Sequence, residues 1–131
     1  MFHVKHLRSP EGESLRAYHA LVRRYHATLD LVSDRALERF PAMMQQAQIY
    51  AAQIVAFSPS ARVLDIGSGV GLPGIVIALS LPHQDVLLVE RRRRRATFLK
   101  LAVAHLGLEN AHVSESDVQT LSLAGLGLRV G

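Results

Sequence analysis

The chain has 131 residues and no cysteine. That excludes a disulfide framework, thiolate zinc sites and any mechanism built on a cysteine nucleophile, and it fits the reducing cytoplasm. No apolar run approaches the roughly 18 residues of a membrane span. The start, Met1-Phe2-His3-Val4-Lys5-His6, lacks the long apolar region of a secretory signal. Aromatic residues are few, at 5%, while hydrophobic residues make up 49%, the balance of an ordinary soluble α/β or α protein with one core. The expected location is cytoplasmic, with no membrane association. The seven histidines show no metal-ligand spacing. His19 and His26 fall on one predicted helix and read as surface or core residues, so no metal site is expected. No side chain stands out as a nucleophile or general base either, and no catalytic residue is assigned.

What the chain does have is a stretch from Val63 to Ile75, Val63-Leu64-Asp65-Ile66-Gly67-Ser68-Gly69-Val70-Gly71-Leu72-Pro73-Gly74-Ile75. An apolar run ends in an acid, glycines alternate, and a helical pattern begins. Such a strand, turn and helix start lets a ligand approach bare backbone. Two readings follow. Gly69-Val70-Gly71-Leu72-Pro73-Gly74 satisfies G-x-G-x-x-G, and Glu90 lies about 20 residues on, as a dinucleotide site requires. Against this, Asp65 at the strand end would face a pyrophosphate unfavourably, whereas it suits the ammonium and sulfonium of S-adenosylmethionine. The methyl donor is the preferred ligand. Pro73 fits a first helical turn in either case.

Around this stretch the chain divides in two. Residues 1–14 read as a polar arm. Leu15, Tyr18, Leu21, Val22, Tyr25 and Leu29 follow helical spacing. A short helix is expected from Asp34 to Phe40, and Pro41 opens a third whose buried face would be Met43, Met44, Ala47, Tyr50, Ala51 and Ile54. Phe57-Ser58-Pro59-Ser60 reads as a linker. Residues 1–60 thus form an N-terminal helical segment, and residues 61–131 the first part of a Rossmann-like domain. There, strands over Arg62–Ile66, Asp85–Glu90 and Ala111–Ser114 alternate with helices over Pro73–Leu81 and Arg93–Leu106, the second stopping at Gly107. Strand, helix, strand, helix, strand predicts a doubly wound parallel sheet. The pattern is lost after about Leu121.

Charge is local. Five of the fifteen Lys and Arg residues are consecutive, Arg91 to Arg95. They occupy a predicted helix N-terminus, where each opposes the macrodipole by roughly 0.3–1 kcal/mol. Cations placed at a cost to stability point to an anionic partner, either RNA or phosphate, with Arg94 and Arg95 mattering more than Arg91. Glu90 ends the second strand, where a carboxylate can accept both ribose hydroxyls. Asp117 could accept from an adenine amino group, with backbone at Val118 completing the contact; Ser114-Glu115-Ser116-Asp117 also reads as a plain polar turn. Methyl transfer to a ring nitrogen with a free lone pair needs no proton removal, which agrees with the lack of an evident base.

These residues resemble the small-subunit (16S) ribosomal RNA guanine-N7 methyltransferases, also called glucose-inhibited division protein B, over roughly residues 15–121. The stretch from Val63 to Gly74 is the most specific part, its Gly71-Leu72-Pro73-Gly74 ending resembling this family more than methyltransferases in general. Arg94-Arg95-Ala96-Thr97-Phe98-Leu99 is similar to the family's basic pair followed by Phe-Leu. Leu106-Gly107-Leu108-Glu109-Asn110-Ala111 resembles its approach to the third strand. The resemblance implies a class I methyltransferase fold, S-adenosylmethionine as cofactor, and 16S ribosomal RNA or the small ribosomal subunit as partner. It implies donor contacts from Asp65, Gly67, Gly69 and Glu90. Ser68, Gly71 and Leu72 join them as loop residues, and Asp117 and Val118 as the adenine-side pair; Arg94 and Arg95 are the candidate RNA-binding residues. Asp117 stands where the family has a basic residue, and Met43-Met44-Gln45-Gln46 about where it has His and Asp-Ser. Family members continue through a fourth strand beside the first. The chain is therefore expected to be a truncated product, its first strand a hydrophobic edge. The alternative to a methyltransferase is an inert fragment that only binds cofactor or RNA.

Overall fold

Pro10 followed by Glu11 and Glu13 starts a helix well: proline needs no N–H in a first turn, and acids there complement the macrodipole. Helix α1 accordingly runs over Pro10–Leu29. The arm expected over residues 1–14 is thus corrected, because five of those residues are helical. Glu11 explains why the turn holds: its Oε1 accepts from Gln48 Nε2 at 3.2 Å and from the Ser80 hydroxyl at 2.8 Å, tying α1 to two later helices. The computed structural model describes residues 10–57, 60 and 62–117. Among them no helix is long and apolar enough to cross a membrane.

Helix α2 (Asp34–Glu38) is capped by Ser33, whose hydroxyl accepts from the Ala36 N–H at 3.1 Å. Helix α3 (Phe40–Phe57) follows at once, with Pro41 in its first turn. Strand β1 (Val63–Ile66), helix α4 (Gly74–Ser80), strand β2 (Val86–Glu90), helix α5 (Arg93–Leu106) and strand β3 (Ala111–Glu115) complete an α/β, Rossmann-like unit. The strands lie within one residue of the expected bounds. They form one parallel sheet in the order β1-β2-β3, with Val63 opposite Val86 and Val86 opposite Ala111. Helix α5 ends at Gly107, whose φ of 63° is the left-handed cap the sequence predicts.

The core lies between the sheet and its helices. Strand β2 is buried at Val86, Leu88, Val89 and Glu90, as a strand covered on both faces must be. Tyr18, Phe40, Ile75, Leu88, Phe98 and Leu99 are among the largest fully buried side chains. Each stabilises the fold by roughly 1.5–3 kcal/mol relative to exposure. Helix α1 packs on α4 and α5, so the helical segment shares this core.

The expected buried face of α3 needs correction. Ala47 and Ala51 are buried and Met44 and Ile54 half-buried, but Met43 is 38% and Tyr50 45% exposed. Ile49, Val55 and Phe57 are exposed as well. The outer half of this helix mixes apolar residues with Gln45, Gln46 and Gln53, so its inner face has no sharp polar boundary from which it can be read. Beside it, β1 pairs with β2 alone among the described residues, and Ile66 is 53% exposed.

Asn110 locks the approach to the sheet. Its amide donates to the carbonyls of Ala78, Leu81 and Gln84 at 3.0, 3.0 and 2.9 Å, and its own carbonyl accepts from the Val86 N–H at 2.8 Å. Asn110→Ala removes the side-chain donor that these three carbonyls share, the Leu81 carbonyl keeping the Gln84 N–H at 3.1 Å. It is expected to cost about 1–3 kcal/mol, measured as a lower midpoint in urea with an unchanged m-value.

Candidate functional site

The site is built where β1 hands over to α4. Three glycines of the intervening loop have positive φ: Gly67 at 70°, Gly69 at 57° and Gly71 at 103°. At Gly71 space is lacking as well, since a Cβ would sit 2.5 Å from Ile75 Cδ1 and 3.1 Å from the Tyr18 hydroxyl. At Gly74 a Cβ would collide with the side chains of Leu88 and Asp65. At Gly71 and Gly74 neighbouring side chains thus take the space a Cβ would need, while at Gly67 and Gly69 the positive φ is the constraint.

The loop is pinned from four sides. The Gly67 and Ser68 N–H groups donate to the Val89 carbonyl at 2.8 and 3.0 Å. The buried Ser68 donates its hydroxyl to the Asp65 carbonyl at 2.8 Å. Glu90, only 4% exposed, accepts from the Gly69 N–H on Oε1 at 3.0 Å and from the Arg92 N–H on Oε2 at 3.1 Å. From α1, the fully buried Tyr18 donates to the Val70 carbonyl at 2.7 Å. Burial raises the Tyr18 phenol well above its ordinary value and the Asp65 charge adds to this, so it stays a donor.

Beyond the carboxyl ends of β1 and β2 lies a cleft of about 370 Å³, within the range of small-molecule sites. It gathers Gly67 and Glu90 with Asp117, which follows β3, and three guanidinium-bearing residues, Arg91, Arg92 and Arg95. The arrangement offers hydroxyl acceptors at the base and cations at the rim. This is the position at which open α/β sheets bind ligands.

Residues 11–124 match the profile of the GidB family, described as rRNA small subunit methyltransferase G. The chain belongs to the GidB family. Ribosomal RNA small subunit methyltransferase G of Stenotrophomonas maltophilia (strain K279a) is 35% identical over 111 residues, which is 85% of this chain and 51% of that protein. Its namesake from Borrelia duttonii (strain Ly) is 38% identical over 109 residues, 82% of this chain and 51% of that protein. A third, from Acidothermus cellulolyticus, is 49% identical over 61 residues, 47% of this chain and 28% of that protein. The chain spans about half the length of the curated relatives that match most of it. GidB members carry the name of methyltransferases, a class that uses a methyl donor, and of enzymes acting on ribosomal RNA.

Set against the GidB family, the candidate residues divide. Gly67, Glu90 and Asp117 share the cleft, and Gly69 joins it through Glu90. Ser68 is buried beneath the loop, and Gly71 packs against Tyr18 rather than the cleft wall. Leu72 is half-buried before α4 and does not line the cleft. Arg95 reaches the cleft, whereas Arg94 is exposed on α5. Val118 lies outside the described residues. Arg91, expected to matter less than Arg94 and Arg95, lines the cleft, and so does Arg92; their place follows from the bond that Glu90 accepts from the Arg92 N–H. Tyr18 reads in the sequence only as one position of the helical stripe, and its polar tip among apolar neighbours is the one hint of a polar partner.

Asp65 turns away from the cleft. Its Oδ2 accepts from the Gly74 N–H at 3.1 Å, and its side chain lines a groove shared with Tyr50, Ile54 and Ile77. Burial raises its pKa from the ordinary 3.8, hydrogen bonding by Ser68 and the Gly74 N–H opposes the rise, and the Glu90 charge adds to it. A carboxyl raised in the folded chain contributes stability below its ordinary value, and that contribution is lost as pH rises through the raised value. Asp65→Asn keeps an acceptor for Gly74 and removes the buried charge. It is expected to melt above wild type at pH 7, with the difference closing as pH falls below 3.8. Thermal unfolding followed by circular dichroism from pH 3 to pH 8 checks this.

Proposed function

We propose that this chain supplies the S-adenosylmethionine-binding part of a methyltransferase that modifies guanine N7 of 16S ribosomal RNA in the cytoplasm. The observation that carries the reading is Glu90: a buried carboxylate at the end of β2, on a cleft of nucleoside size, clasping a glycine loop whose backbone is bare. Each of its oxygens accepts one main-chain N–H and retains lone-pair capacity for a ribose hydroxyl. Gly67 offers close backbone approach beside it. Asp117 is suited to accept from the adenine amino group, and Val118 to complete that contact. The negative charge of Asp65 behind the loop favours a cationic ligand over a pyrophosphate.

S-adenosylmethionine supplies an electrophilic methyl on a sulfonium. The chain's residues then have two duties, to orient that donor and to hold the RNA. Guanine N7 carries a free lone pair, so no residue needs to remove a proton, and positioning with electrostatics suffices. Arg94 and Arg95 hold RNA phosphate, with Arg91 and Arg92 bringing positive charge to the rim of the donor cleft. The partner is 16S ribosomal RNA or the small ribosomal subunit, and no membrane takes part. A second reading, donor or RNA binding without turnover, is favoured by the edge of β1, which pairs with β2 alone among the described residues, and by the exposed apolar residues of α3. Methyl transfer to stripped small ribosomal subunits separates the two.

Calorimetric titration with S-adenosylmethionine and with NAD tests the cofactor. Micromolar binding of the methyl donor, lost in Asp65→Ala and weakened at least about tenfold in Glu90→Ala, is the expected result. Binding of NAD with tolerance of Asp65→Ala overturns the reading in favour of a dinucleotide site. For RNA, each phosphate contact contributes roughly 0.7–0.9 to the slope of log K against log salt. Replacing both Arg94 and Arg95 by alanine is expected to reduce that slope by about 1.5, measured by filter binding to 16S ribosomal RNA fragments.

A further inference from the structure

The Val70 carbonyl receives its hydrogen bond from a residue 52 positions earlier in the chain. A peptide unit is a rigid plane, so anchoring the Val70 carbonyl also fixes the direction of the Gly71 N–H. That N–H closes the turn on the Ser68 carbonyl at 2.8 Å, and the Gly71 carbonyl accepts from the Ile75 N–H at 2.7 Å as α4 begins. Glu90 holds Gly69 and Asp65 holds Gly74; the Val70–Gly71 peptide between them is held by Tyr18. The tyrosine has little freedom to leave. Its ring is fully buried and meets Phe40 edge-on at 5.4 Å, and Phe40 stacks on His19 at 5.3 Å.

We propose that Tyr18 is a positioning residue for the methyl-donor loop, its hydroxyl setting the Val70–Gly71 peptide in the conformation that receives the ligand. The inference rests on the reading of this loop as the donor site. It makes α1 a component of that site, acting from the far side of the loop: the helix carries Tyr18 against Gly71 while its Glu11 is tied to α3 and α4. Loss of the hydroxyl leaves the ring in place and releases the peptide at its Val70 carbonyl, while the Gly71 N–H keeps its bond to the Ser68 carbonyl, so the loop is held less tightly.

Three forms of the full chain decide the matter: wild type, Tyr18→Phe and Val22→Ala, all in one osmolyte buffer that keeps the variants folded. Val22 is fully buried on the same helix and has no polar side-chain group to offer the loop, so its truncation reports packing loss alone. Affinity for S-adenosylmethionine is read by calorimetry, and amide exchange of the ligand-free chain is read at Gly69, Val70 and Gly71 against Val86 to Val89. Tyr18→Phe is expected to raise the dissociation constant about tenfold and to speed loop exchange about tenfold, with the β2 amides changed no more than in Val22→Ala. Val22→Ala is expected to keep both loop readouts within about twofold of wild type. Wild-type affinity and loop protection in Tyr18→Phe overturn the inference, and so does an equal loss in both variants. Should wild type fail to bind the methyl donor, the proposed function fails, while loop exchange in the ligand-free chain still decides whether Tyr18 sets the loop.

Discussion

A buried carboxylate carries the organisation of this protein. Glu90 is 4% exposed, and a carboxylate in that position is tolerable only with hydrogen bonds to its charge. The two it accepts come from Gly69, in the loop after β1, and Arg92, at the head of α5. One side chain thereby joins the two turns that flank the cleft. The loop needs such fixing, since ordering each residue costs roughly 1–2 kcal/mol and glycine forfeits the most freedom. A ligand meeting a loop already held by Glu90, Asp65 and Tyr18 does not have to order it on arrival.

The same carboxylate resolves an electrostatic conflict. Helix α5 starts at Arg93 with no acid in its first turn and no side-chain cap from Arg92. Five consecutive arginines therefore meet the positive end of a 14-residue helix. Glu90 stands just before them and puts a negative charge on the Arg92 N–H, where a capping acid would otherwise act. Four of the arginines are exposed and solvated, and Arg95 is half-buried against the cleft. The cost of the cluster is thus moderated locally, and the positive potential remains on the outer rim.

Features carried by adjacent residues were legible in the sequence. The apolar run of β2, the alternating glycines and the Gly107 stop each state their conformation within a few residues, and each is found in place. Glu90 could be assigned to the cleft because a strand's end fixes its position. Asp65 shows the limit of that argument. Its register partner is Leu88, whose side chain shares its closeness to Gly74, so its carboxylate meets the start of α4 instead of the cleft. Which face a strand-end residue serves depends on register across the sheet, and a single strand does not reveal it. Tyr18 was less legible still, since a hydrogen bond spanning 52 residues leaves no local trace in an apolar stripe. The start of α1 was written in Pro10, Glu11 and Glu13, and a polar composition concealed it.

Burial is distributed unevenly along the sheet, and this bears on the site. Strand β2 is buried at four of its five positions, while β1 is half-buried at Val63, Leu64 and Asp65 and exposed at Ile66. The strand that carries the glycine loop is therefore the less anchored of the two. The loop's conformation comes largely from elsewhere: the Val89 carbonyl and Glu90 belong to β2, and Tyr18 to α1. A strand that is marginally buried, and paired on one side among the described residues, opens locally at lower cost than the core behind it. With clamps on the well-buried strand and on α1 beside the one that Asp65 supplies from β1, most of the loop's hold lies outside the strand that opens first. In this fold the ligand-facing turn is held by the elements it touches more than by the strand from which it emerges.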